Sequence, residues 1–285
     1  MEGPEFSSLP EGCISYVISL TSPRDACRSS AVSSVFQEAS DSDFVWERFL
    51  PRDYSDILSR AVTLLEYSSK KGLYFILCNS ILIDDGKKSF WLQKLTGKKC
   101  YMLSAGELRI VWAGSTPDYW DWVDSTESRF PQVAELFSVC WLEITGKFNS
   151  RFLSPRTHYV AYLILKFRGH NYGLDLAPVE LKVKLGDHLS VHQARLRYPL
   201  SPRRRSPGPL RRLLLWHTEE NLERVPRVRG DEWMELELGR FYNADGNDGY
   251  VEFSLLDGST HWKRGLIIEG VEIRPSQEAE VPVTR

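Results

Sequence analysis

Neither a disulfide framework nor a zinc-ribbon spacing is present in this chain of 285 residues. Its five cysteines, Cys13, Cys27, Cys78, Cys100 and Cys140, are odd in number, widely scattered and never paired as C-x-x-C. That pattern excludes a disulfide-stapled scaffold and a structural zinc site, and it fits reduced thiols. No apolar run approaches the roughly 20 residues of a membrane span, so none is expected. Glu2 and Glu5 precede Leu9 with no apolar stretch, so no signal peptide is expected. Charge of neither sign prevails: the net charge of -2 gives no drive toward nucleic acid or an anionic membrane. The histidines are dispersed, and only His188 and His192 stand four residues apart, without a third ligand. Neither G-x-S-x-G nor H-E-x-x-H occurs. No catalytic residue, metal or cofactor is therefore expected. What the chain does have is 42% hydrophobic against 26% charged residues, enough for a sizeable core in one to three domains.

The first fifty residues are dense in helix signals. After Pro10, the apolar residues Ile14, Val17, Ile18 and Leu20 recur at near-helical spacing. Ser22 is placed to cap a second helix, with Pro23 at its first position and Asp25 in its first turn. Ala31, Val35, Phe36 and Ala39 continue one stripe. Asp41 or Ser42 can cap a third helix carrying Phe44, Val45, Phe49 and Leu50, closed by Pro51. Three helices this short hide little area among themselves. Leu9, Ile14, Leu20, Val32 and Val35 exceed what they can bury, so an exposed apolar face is expected.

Residues 52–100 are a connecting region. Ile57-Leu58, Ala61 and Leu64-Leu65 allow a further helix. Leu73–Leu77 and Ile81–Ile83 are short apolar runs, and Asp84-Asp85-Gly86 is a turn. The lysine-rich turns, Lys98-Lys99 among them, read as a solvated face. Beyond Tyr101 the pattern alternates as strands do: Val139–Gly146, Tyr159–Phe167, Glu180–Leu185, Trp233–Gly239, Tyr250–Leu255 and Leu266–Pro275. Val133–Leu136 reads only as a short helical or extended turn. The fold class is therefore α+β, an N-terminal three-helix segment followed by a mostly antiparallel β-sandwich. Asp245, Asn247 and Asp248 miss the EF-hand register, and Asp-Gly steps there predict a hairpin loop.

One loop stands out. Trp112-Ala113-Gly114-Ser115-Thr116-Pro117-Asp118-Tyr119-Trp120-Asp121-Trp122 places three tryptophans and a tyrosine in a turn-rich segment. Flat aromatic faces stack on the C–H faces of pyranose rings, while nearby polar groups bind hydroxyls. A second loop, Arg203–Arg212, is rich in arginine, proline and serine and reads as a solvated insertion. Its arginines could alternatively serve nuclear import or phosphate binding, and Ser201-Pro202 and Ser206-Pro207 could be phosphorylated.

Two resemblances follow from these strings. LPEGCISYVISLTSPRDACRSSAVSSVF, with Trp46 and Phe49-Leu50-Pro51, resembles an F-box over residues 5–51. The pieces LRIVWAGSTPDYWDWV, VAELFSVCWLEITGKF, YVAYLILKF, RGDEWMELELGRFYNADGNDGYVEFSL and HWKRGLIIEGVEIRP lie in the order of the plant phloem-lectin (Nictaba-like, phloem protein two-like) family, over residues 101–275. A tail follows at 276–285. The first resemblance implies docking on a Skp-type adaptor, and through it a cullin, by Leu9, Pro10, Ile14, Leu20, Pro23, Val32 and Val35. The second implies a jelly-roll-like lectin domain for N-acetylglucosamine-containing glycans or glycoproteins, with Trp112, Trp120 and Trp122 at the sugar and Glu252 and Asp257 as acidic candidates. Together they imply a non-catalytic substrate receptor of a ubiquitin ligase, cytoplasmic and nuclear, without membrane or nucleic-acid partners. The alternative is a stand-alone carbohydrate-binding lectin of stress or defence.

Overall fold

The computed structural model describes residues 9–114, 118–199, 224–246 and 249–276. The arginine-rich loop 203–212 and almost all of the tail lie outside them, as do Ser115 and Pro117 of the tryptophan loop. Two compact units divide the chain: residues 9–102 with Phe152–Ser154, and Leu103–Arg151 with 155–276. Among the described residues no helix is long and apolar enough to cross a membrane.

The first unit holds α1 (Glu11–Ser19), α2 (Pro23–Ser29), α3 (Ser34–Asp41), α4 (Asp43–Phe49), α5 (Tyr54–Ser59), α6 (Lys70–Leu77), β1 (Ile81–Ile83) and β2 (Lys88–Leu92). β3 (Lys99–Ser104) carries the chain into the second unit. Ser22 caps α2 as expected, its Oγ accepting the Asp25 N–H at 3.2 Å. The expected second helix is two. Ser33 accepts the Phe36 N–H at 3.3 Å and starts α3, so the chain breaks between Ser29 and Ser34. Four helices, not three, therefore fill residues 11–49. Their core gathers on Trp46, whose ring lies 5.1–5.6 Å from those of Phe49, Tyr74 and Phe75 and whose Nε1 donates to the Ser40 carbonyl at 2.7 Å. The apolar run Leu73–Leu77 is helical because Ser69 caps it through the Gly72 N–H at 3.0 Å. Lys99 is not on a solvated face: its buried ammonium pairs with Asp53 at 3.0 Å.

The second unit holds β4 (Arg109–Ile110), β5 (Trp120–Asp124), β6 (Gln132–Leu136), β7 (Leu142–Asn149), β8 (Thr157–Tyr172), β9 (Val179–Leu185), β10 (His188–Ala194), β11 (Arg227–Val228), β12 (Met234–Asn243), β13 (Tyr250–Asp257) and β14 (Arg264–Pro275). One sheet places β8 between β14 and β12, with β11 beyond β12, and β6, which also pairs with β5, on β14. The other runs β10-β9-β13-β7-β4. All these ladders are antiparallel. β12 packs so closely on β9 and β10 that a Cβ on Gly239 would stand 2.9 Å from Val183 Cγ2 and 3.0 Å from Ser190 Oγ. A β-sandwich is the result.

Two sequence expectations fail here. β12 and β13 do not form a hairpin, because they belong to different sheets; Asn247 and Asp248 lie outside the described residues. The Ala244 carbonyl accepts from Arg156 N, and the Gly249 carbonyl from Ser150 N. Val133–Leu136 is strand β6, buried by its place between β5 and β14. The outer side of β14 is covered too. Glu269 accepts from Ser128 Oγ and Arg129 N, and Glu272 pairs with Arg229 and Arg274. Burial pushes the Glu269 carboxyl up. Burial opposes the charge on Glu272 as well, but Arg229, Arg274 and Arg129 together hold its carboxyl below the ordinary range.

Candidate functional site

Two surfaces, one in each unit, present apolar side chains to solvent. In the first unit α1 carries two interleaved stripes. Ile14 and Ile18, four residues apart, face inward and are buried. Cys13, Tyr16, Val17 and Leu20 recur on the opposite side and are exposed, as are Leu9, Pro10 and Val32. Of the positions inferred for adaptor docking, Leu9, Pro10, Leu20 and Val32 are thus accessible and Val35 is half-buried. Ile14 and Pro23 are buried, because α1 and α2 turn those positions toward the other helices. Tyr16 and Val17 were missed as outward positions. The signal was there: a nine-residue helix with apolar residues on both sides cannot bury both in a small bundle.

In the second unit exposed aromatic rings gather at one end of the sandwich. Trp112 follows β4 in a turn, is 49% exposed, and adopts φ 72°. A bulky side chain in the left-handed region costs about 1–3 kcal/mol and is held there by its surroundings. Its ring lies 6.2 Å from that of Tyr119. The Tyr119 carbonyl accepts from the N–H groups of Phe137 at 3.0 Å and Ser138 at 3.3 Å. Val139 and Lys263 then exchange backbone hydrogen bonds of 3.0 and 2.7 Å. Ser138, Tyr172, Trp262, Lys263 and Arg264 line a hollow of about 310 Å³ beside them. Gly173, at φ 76°, allows the end of β8 to meet this loop: a Cβ there would stand 1.9 Å from the Trp262 carbonyl oxygen. Trp141 lies over Gly258 and donates its Nε1 to Glu143 at 3.0 Å. Phe137, Trp141, Tyr172 and Trp262 are all exposed.

The inferred sugar residues separate. Trp112 is at this end and open. Trp120 is only 2% exposed and begins β5 opposite Leu136, so it packs in the core. Trp122 is half-buried on the same strand, since alternation along β5 sends it to the same side as Trp120. Asp257 is buried as well. Its carboxylate is 1% exposed, pairs with Lys263 Nζ at 3.3 Å and accepts the Ser259 N–H at 2.9 Å, so it braces the loop from within. Glu252 is exposed but stands on the outer face of the five-stranded sheet, five residues along β13 from Asp257, or about 17 Å. Trp141, Tyr172 and Trp262 were not singled out in the sequence, because strand pairing alone brings 137–141 beside 258–263. Among the described residues no group of three or more His, Cys, Asp or Glu side chains stands where it could hold a metal ion.

Comparison with known proteins follows the same division. The family model described as phloem protein 2 matches residues 98–275. The Arabidopsis thaliana protein named F-box protein At2g02240 is 47% identical over 274 residues, covering 95% of this chain and 81% of its own length. F-box protein PP2-B10 of the same plant is 43% identical over 284 residues, covering 97% of this chain and 96% of its own. Among solved structures, TmCBM61 in complex with β-1,4-galactotriose aligns with 9% identity and a TM-score of 0.31, covering 61% of this chain and 91% of that one. A likeness that loose carries no argument. With a family match across the whole sandwich and close relatives named as F-box proteins along nearly its full length, the chain belongs to the phloem protein 2 family of plants, in its F-box-bearing branch.

Proposed function

We propose that the chain is the substrate-recognition subunit of a Skp–cullin–F-box ubiquitin ligase. Residues 5–51 form its F-box, 52–100 connect, and the sandwich of 101–275 binds glycans or glycoproteins containing N-acetylglucosamine. The observation that supports docking is the second stripe of α1. Tyr16, Val17 and Leu20, with Leu9 and Val32, leave large apolar side chains in water while Ile14 and Ile18 satisfy the core. Burying a Val or Leu fully in a partner is worth about 1.5–3 kcal/mol each. The observation that supports sugar binding is Trp112, exposed and held at positive φ next to Tyr119. The subunit does no chemistry of its own in this reading; ubiquitin transfer belongs to other subunits. It acts in the cytoplasm and nucleus.

Purified chain and a Skp-type adaptor test the first half by co-purification and by titration calorimetry. Val17→Asp with Leu20→Asp should abolish binding, whereas Arg264→Gln should leave it intact. An adaptor that never binds the wild-type chain, or binds the double variant equally well, overturns the ligase reading and leaves the stand-alone lectin. N-acetylglucosamine oligomers test the second half. Trp112→Ala and Trp262→Ala should each weaken binding with the thermal midpoint unchanged. Wild-type affinity in both would remove the aromatic end from the site.

A further inference from the structure

A second open surface in the sandwich has a different chemistry. The outer face of the five-stranded sheet encloses a groove of about 540 Å³. Its side chains line up by strand register. Leu189 on β10 faces Lys184 on β9, which faces Glu252 on β13, which faces Lys147 on β7. In the next row Lys182 faces Ser254, which faces Thr145, which faces Arg109 on β4. Four cations thus border a floor of two hydroxyls and the Glu252 carboxylate, with Glu107 at the rim beside Arg109, a surplus of two positive charges. Lys182 pairs with Glu180 at 2.5 Å, whereas Lys184, Arg109 and Glu252 make no ion pair among the described residues. Tyr250, two residues before Glu252 on the same side of β13, is exposed, and Lys147 Nζ stands 5.1 Å from its ring centre.

On a solvated sheet, facing charges of opposite sign ordinarily pair across strands. Here three of them reach into the groove instead. A backbone cannot be read on this surface, because its own N–H and C=O groups are spent in the ladders on either side. Recognition must come from side chains, and these carry a positive surplus, two small hydroxyls and a ring. We infer that this groove binds an acidic oligosaccharide, a chain of uronic acid sugars lying across the strands. Adjacent strands are about 4.8 Å apart, and a uronate chain carries one carboxylate per sugar at a repeat close to that spacing. Arg109 and Lys184, three strands apart, meet carboxylates at separate sugars, Arg109 in bidentate fashion. Ser254, Thr145 and Glu252 exchange hydrogen bonds with ring hydroxyls. Tyr250 offers a flat face to a sugar ring at the margin. The site is separate from the aromatic end, where rings rather than charges predominate.

The test uses the full chain and hexagalacturonate, with its methyl ester as a neutral copy of the same backbone. Calorimetry at low salt should show binding of the acid and none of the ester. The affinity should fall as ionic strength shortens the screening length. Lys184→Gln and Arg109→Gln, both exposed and away from the core, should each weaken it by about tenfold. Trp112→Ala, the variant aimed at the aromatic end, should bind hexagalacturonate as the wild type does. Circular dichroism and the thermal midpoint confirm that each variant folds. No binding of the acid, equal binding of the ester, or wild-type affinity in both cation variants overturns the inference. So does a phosphoserine peptide that binds more tightly and is lost in the same variants, since the groove would then read acidic protein segments. Loss of binding only in Trp112→Ala overturns it as well, by moving the acid to the other end.

Discussion

Lys263 gives the sharpest test of how the aromatic end is built. Its ammonium and the carboxylate of Asp257 are 0% and 1% exposed, a separation of 3.3 Å. The same ammonium donates to the carbonyls of Cys140 at 2.7 Å, His261 at 2.9 Å and Ser259 at 3.3 Å. Those carbonyls belong to two loops, 137–141 and 258–263, that carry Phe137, Trp141 and Trp262. Lys263→Met keeps the length of the chain and removes only the charge and its donors. It leaves Asp257 buried without a counter-ion. Breaking a buried pair from one side costs about 3–5 kcal/mol, most of it the stranded charge. For a unit of this size a kilocalorie shifts the midpoint by roughly 2–4 °C, so the drop should be about 6–20 °C. Differential scanning calorimetry on the purified chain reads it directly. Adding Asp257→Leu to Lys263→Met removes the stranded charge and should recover part of the loss, a positive coupling in the double-mutant cycle. A Lys263→Met midpoint within about 2 °C of wild type, or a double variant less stable than wild type by the full sum of the two single changes, would refute the reasoning.

Two more outcomes follow from other places in the fold. Asp84 accepts from Arg60 Nε at 2.8 Å, and this bond, with Lys88 at 2.9 Å, outweighs burial and holds its carboxyl at about 2. The folded value lies below the unfolded one, so the stability it supplies is complete above about pH 4 and disappears as the pH falls through about 2, on the order of 2 kcal/mol in all. Asp84→Asn tolerates the φ of 54° at this turn, so urea midpoints of the variant should lose that acid-side slope, and an unchanged slope would show that Arg60 contributes nothing. Trp120→Ala, a core deletion, should cost about 3–5 kcal/mol in urea unfolding, while Trp112→Ala on the surface should stay within about 1 kcal/mol of wild type; equal losses would contradict the placement of the two rings.

Much of the element order was legible from the sequence alone. β7, β8, β9, β12, β13 and β14 announce themselves by alternation, whereas β10 and β11 do not, and Ser22-Pro23-Asp25 marks the start of α2, because these signals are local: side-chain period and capping chemistry act within a few residues. What periodicity cannot report is which neighbour a residue meets. Ile14 and Val17 are both apolar positions of α1, and only packing decides that Ile14 is core and Val17 is surface. Trp112 and Trp120 sit in one aromatic run, yet a strand start opposite Leu136 buries one and a left-handed turn exposes the other. The Asp-Gly steps between β12 and β13 have hairpin chemistry, yet β12 pairs with β8 and β11 in one sheet and β13 with β9 and β7 in the other. Asp257 is a candidate ligand until Lys263 is brought beside it. Lys184, Glu252 and Lys147 form a row only through the register of β9, β13 and β7. The sequence by itself determined the kinds of element and the two modules they compose. The tertiary structure decided which surfaces remain open, because exposure and charge pairing depend on segments far apart in the chain meeting across a ladder or a layer.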